Sequence, residues 1–134
     1  MSTDDRRGRC YELALEAFVF GKGPELPDGA VLVHGYPRLQ GGEYKGEKYG
    51  HAWVEWTESV HYPSLAESVQ FQVVWDAVTT DILPLVVYYK AGQIDFHECR
   101  TYSRTEAREM AVKHKTYGPW ECVPDDAIFG TGAR

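Results

Sequence analysis

The chain has 134 residues, 43% of them hydrophobic and 25% charged, with 14 basic against 20 acidic side chains and a formal net charge of −6. That length suits a single domain over residues 1 to 134 with a substantial core. The acidic balance, with no basic run longer than Arg6-Arg7, lacks the electrostatic footprint of a nucleic-acid binder. The longest apolar run, Ile82 to Tyr89, contains a proline and is too short to span a bilayer, and the polar start "MSTDDRRGRC" is unlike a signal peptide. No membrane association and a cytoplasmic location are therefore expected.

In chain order, "RRGRCYELALEAFVF" predicts a helix. Cys10, Leu13, Ala14, Ala17 and Phe18 recur at helical spacing as one apolar stripe, Asp4, Asp5 or a neighbour supplies the cap, and Gly21, Gly23 and Pro24 stop the helix. Cys10 then sits in or near the first turn. "AVLVHGY" reads as a short strand, and the glycine-rich segment "PRLQGGEYKGEKYG" as a loop without periodicity, mobile or shaped by what it covers.

"HAWVEWT" alternates in the strand manner, with Ala52, Val54 and Trp56 on one face and His51, Trp53, Glu55 and Thr57 on the other. "ESVHYPSLAE" reads as irregular. "SVQFQVVWDAVT" predicts the next strand, so antiparallel pairing brings His51, at the start of one strand, towards Asp76, at the end of the other. "LPLVVYYKAG" is ambiguous between strand and short helix, and "QIDFHECRTY" reads as a further strand. Ser103-Arg104-Thr105-Glu106 has the form of a capping box ahead of a helix near 104 to 115, and Trp120 and Phe129 are the expected docking points of the tail.

Cys10, Cys99 and Cys122 are an odd number, which argues against a disulfide framework and for at least one free thiol. A thiol at a helix amino terminus is favoured as thiolate by the helix dipole and by a nearby imidazolium. A histidine serves as base and then acid when one ring nitrogen is held by an acceptor, a role open to Asp76.

Gly8-Arg9-Cys10-Tyr11 opening a helix, "HAWVE" opening a strand and "VVWDAVT" closing the next resemble, in the same order Cys, His, Asp, the three motifs of the transglutaminase-like superfamily of papain-type thiol enzymes. The resemblance covers roughly residues 8 to 80. Asp76 is followed by Ala77-Val78 where members usually carry Pro-Thr, and Cys10 by Tyr11 where many carry Trp. The resemblance implies a papain-like core, an amino-terminal catalytic helix packed on a small, mainly antiparallel sheet; with the second helix near the carboxyl end that the capping box marks, the expected class is α+β. It also implies a cysteine-dependent acyl transfer (peptidase, amidase, deamidase or transglutaminase-type) acting on a protein or peptide amide through a Cys10 thioester, with no cofactor. Cys10 takes the role of nucleophile, His51 of proton relay and Asp76 of orienter.

The Cys10 amide is the expected first oxyanion donor; Gln40, Tyr49 and Trp53 are open as a second. His34 is an alternative base, read more simply as a satisfied core histidine. His97, Glu98, Cys99, His114 and Cys122 form a competing set for zinc without a diagnostic spacing, and no metal is expected. The rival to an enzyme is a non-enzymatic binding or inhibitor protein that reuses a papain-like scaffold.

Overall fold

A computed structural model describes residues 8–65 and 67–121. Helix α1 (Cys10–Phe20) leads into strand β1 (Val31–Gly35), the long hairpin β2 (His51–Tyr62) and β3 (Glu67–Trp75), and the short strand β4 (Ile82–Pro84). Helix α2 (Leu85–Gly92), strand β5 (Arg100–Tyr102) and helix α3 (Arg104–His114) follow. The five strands form one antiparallel sheet in the order β4-β3-β2-β1-β5, so the α+β class expected from the pattern is what the chain adopts.

Both faces of the sheet are covered, and strand alternation decides what each face meets. Ala52, Val54 and Trp56 of β2, with Leu32, Val73 and Trp75, pack with Ala14, Leu15, Ala17 and Phe18 of α1 and Ala107 of α3. The opposite face carries Val33, Trp53 and Val74 under Leu85, Tyr88 and Tyr89 of α2. The middle of β2 is therefore dry on both sides, and Trp53 is its largest fully buried side chain.

Several boundaries differ from expectation. α1 begins only at Cys10, with Arg9 at the N-cap offering no side-chain bond; Asp4 and Asp5 lie outside the described residues. The buried side of α1 is also wider than the predicted stripe: Tyr11 and Leu15 are buried and Leu13 is only half-buried, because α3 covers the flank beside the sheet. The segment expected to be irregular continues β2 as far as Tyr62, held by pairs such as Val60↔Val69 and Tyr62↔Glu67. Its side chains are exposed, so no burial pattern marked it as strand.

The ambiguous segment resolves into both of its readings. Pro84 closes the edge strand β4, a position where a missing N–H is tolerated, and α2 starts at the next residue. In "QIDFHECRTY" the Asp95 side chain accepts a 2.9 Å bond from the His97 amide and opens a 3₁₀ turn, Phe96–Glu98, leaving only the last three residues as strand. The capping box of α3 forms as expected: the Glu106 amide donates to Ser103 Oγ at 3.1 Å and the Ser103 amide to Glu106 Oε1 at 2.9 Å. The Arg104 guanidinium beside it donates to the carbonyls of Phe18, Leu26, Pro27 and Asp28, tying the end of α1 and its loop to α3. Among the described residues no helix is long and apolar enough to cross a membrane.

Candidate active site

Gly8, with a left-handed φ of 79°, turns the chain into α1, so that Cys10 is the first helical residue. The first-turn amides receive no side-chain cap from Arg9, and the positive end of the helix lies at its first residue, Cys10. Cys10 is 7% exposed and His51 9% exposed.

β2 starts at His51, and β3 ends at Trp75 opposite Val54. The chain therefore leaves β3 beside the start of β2, and Asp76 meets the imidazole: His51 Nε2 lies 2.7 Å from Asp76 Oδ2, both groups buried. With Nε2 held there, Nδ1 is the nitrogen left for the thiol, and Cys10 is within hydrogen-bonding reach of the ring. The predicted trio Cys10, His51 and Asp76 is thus brought together.

Asp76 is held from several directions. Its Oδ1 accepts from the Val78 amide at 2.8 Å and the Thr79 amide at 3.4 Å. Its own backbone amide donates to Asp81 O at 3.1 Å, and its carbonyl accepts from the Thr80 amide at 2.7 Å. The Val78 and Thr79 amides that follow Asp76 thus wrap its carboxylate. Its Oδ2 accepts a second bond, at 2.6 Å, from the Tyr88 hydroxyl of α2. Tyr88 belongs to no motif of the sequence; its one signal there is a pair of tyrosines within an apolar segment.

The charges follow from this geometry. Burial alone pushes the His51 imidazolium down, but the Asp76 charge, the hydrogen bond to it and the contact with Cys10 outweigh burial and hold it well above the ordinary 6.5. Burial raises the Asp76 carboxyl, yet the His51 charge and the bonds from His51, Tyr88 and Val78 carry it far below the usual carboxylate range. Burial and the Asp76 charge push the Tyr88 phenol up, so it stays protonated as a donor.

The three candidate oxyanion donors separate. Trp53 donates its single N–H to Glu55 Oε2 at 2.7 Å, because the two stand on the same strand face, and so offers no donor to the site. Gln40 is exposed, and its amide nitrogen bonds Arg38 O at 2.7 Å. Tyr49 stands beside His51, ring centroids 5.9 Å apart, and burial first, then the Asp76 and Cys10 charges, raises its phenol. The loop that carries these residues is tied rather than loose: Arg38 bridges Lys48, the Gly46 and Glu47 backbones bond Leu39, and the Tyr49 amide bonds Pro37 O.

His34 corrects its simple reading. It is 2% exposed among Tyr11, Tyr102 and Trp120, but neither ring nitrogen has a hydrogen-bond partner, and burial pushes it down to about 3. It is a core histidine without the satisfaction expected of one. Trp120 docks as expected and donates to Thr116 O at 2.9 Å, while Phe129 lies outside the described residues.

Among the described residues no three His, Cys, Asp or Glu side chains group closely enough to hold a metal. Glu98 pairs with Lys48 at 2.6 Å, Cys99 faces Tyr89, burial pushes its thiol up to about 11, and Cys122 is outside the described residues. Comparison with protein-family models, with curated proteins and with solved structures finds no match.

Proposed function

We propose that the protein is a cysteine-dependent acyl-transfer enzyme on a papain-like, transglutaminase-like core, working through a thioester on Cys10. The observation that carries this reading is the buried His51–Asp76 bond of 2.7 Å at the strand end that meets the first residue of α1, Cys10. In this reading a thiol at the start of α1, an imidazole at the start of β2 and an orienting carboxylate just past β3 form one reacting set at the positive end of a helix.

In this reading the Cys10 proton rests on His51 in a thiolate–imidazolium pair, and the sulfur attacks the carbonyl carbon of a protein or peptide amide. The oxyanion takes its hydrogen bond from the uncapped amides at the α1 start and from the Tyr49 hydroxyl. As the C–N bond breaks, the imidazolium gives its proton to the leaving amine, leaving a thioester on Cys10. Water then releases an acid, or a second amine an amide, with His51 taking the proton of the incoming group. Asp76 fixes the tautomer and stabilises the imidazolium throughout.

The test is acyl capture. Incubation with an activated acyl ester should add the acyl mass to the peptide that contains Cys10 in the native protein, and not in His51→Ala. Acylation spread over other residues, or unaffected by His51→Ala, would contradict the reading. The low exposure of Cys10 and His51 supports a second reading, a binding protein that keeps the scaffold. It predicts a folded protein in which no acyl or electrophilic probe reaches Cys10.

A further inference from the structure

His51 and Trp53 share one face of β2, and each gives a ring N–H to a carboxylate that a tyrosine of α2 also engages. His51 meets Asp76 with Tyr88, and Trp53 meets Glu55 with Tyr89. Two consecutive tyrosines thus reach two carboxylates, Glu55 on β2 and Asp76 just past the end of β3. Tyr88 is itself held by ring contact with the buried Trp53, centroids 5.3 Å apart.

The Asp76 carboxylate needs no phenol to stay oriented, since Oδ1 is fixed by the Val78 and Thr79 amides and the backbone by bonds to Asp81 and Thr80. What Tyr88 adds falls on Oδ2, the oxygen that holds His51. A second strong donor on one carboxylate oxygen draws off charge that the first donor otherwise uses. We propose that Tyr88 is a positioning residue of the site: by sharing Oδ2 it moderates the charge that Asp76 sets against the imidazolium through Nε2, so that the proton on Nδ1 is given up more readily to the leaving group. This rests on the reading of Cys10, His51 and Asp76 as the reacting set, and gives α2, beyond the stretch of family resemblance, a part in it. Among the described residues the titratable groups facing His51 are Cys10 from α1, Tyr49 from the loop before β2, and Asp76; Tyr88 reaches it through Asp76.

The experiment follows the His51 imidazole by NMR across pH, its resonance assigned with His51→Ala. Tyr88→Phe keeps the ring on Trp53 and should raise the His51 midpoint by roughly half a unit, a part of what a hydrogen bond to a charged group contributes. Site-specific 3-fluorotyrosine at position 88, a stronger donor, should lower it. Tyr89→Phe, which removes the neighbouring hydroxyl from Glu55, should leave it in place. An unmoved or lowered midpoint in Tyr88→Phe, or an equal rise in Tyr89→Phe, overturns the proposal. Acyl capture on Cys10, measured alongside in the unsubstituted protein, keeps the two questions apart. Capture with an unmoved midpoint refutes the role of Tyr88 alone, and a moved midpoint without capture upholds the coupling while refuting the enzyme.

Discussion

His34 and His51 lie on neighbouring strands, one register step apart, with His34 opposite Ala52 and Gly35 opposite His51. Both are under a tenth exposed, so desolvation weighs against the charge of each. His51 points to the strand end, where Asp76 and Cys10 offset that cost and keep its charge. His34 points to the other face, into Tyr11, Tyr102 and Trp120, where nothing accepts its proton. Two buried strand histidines differ in chemistry because one has an anion at 2.7 Å and the other only rings. Burial silences a histidine; a buried partner makes it a tool.

The comparison breaks most severely at Asp76. Asp76→Asn removes the anion but leaves His51 buried, which turns the site into the His34 situation and should cost about 3–5 kcal/mol of stability, the usual effect of breaking a buried pair. Urea unfolding at neutral pH measures it, with the His51 midpoint falling below 6.5 in the same variant. The pair also sets a pH window. Asp76, held below its ordinary range, contributes stability that is complete above about pH 4 and is lost on acidification; His51, raised, contributes stability that is complete below its ordinary 6.5 and is lost as pH rises through its folded value.

His34 has the opposite sign to His51. Its folded value of about 3 lies below 6.5, so protons favour the unfolded chain, and stability falls as pH drops from 6.5 towards 3 by up to about 1.4 kcal/mol per unit. His34→Leu removes two unpartnered nitrogens and should flatten this acid limb, read as unfolding midpoints at pH 7, 5 and 4. A slope unchanged by the substitution would assign the acid sensitivity elsewhere.

Gly35, between the two histidines, gives a smaller effect. A Cβ there would run into the Trp53 ring and the Cys99 sulfur, so Gly35→Ala should destabilise by about 1–3 kcal/mol through overpacking, with loss in chemical denaturation and no change in the His34 acid limb. The smallest is Ser103→Ala, which removes one capping bond of α3, far from both histidines. It should cost about 1 kcal/mol and shift neither titration.

The features local to the chain were legible in its sequence. Alternation in "HAWVEW" separated the packing residues from His51, the Ser103–Glu106 box announced α3, and the order of His51 and Asp76 on successive strands implied their meeting. What escaped depended on long-range contact or on absent burial. The outer half of the β2–β3 ribbon is exposed on both faces and shows no apolar pattern tied to the core. Tyr88 reaches Asp76 only because β4 reverses the chain and α2 folds back over Trp53. Trp53, a candidate donor by its place next to His51, is spent on a carboxylate two residues away. That His34 lacks a partner is a property of its neighbours' side chains, which a sequence does not reveal.

The most direct measurement is the rate at which iodoacetamide modifies Cys10 at pH 7, followed by mass spectrometry, in the unsubstituted protein and in His51→Ala. Imidazole assistance predicts a fall of about a hundred-fold or more when His51 is removed, the lower end of what a positioned base contributes. Equal rates in the two proteins would contradict a working Cys10–His51 pair.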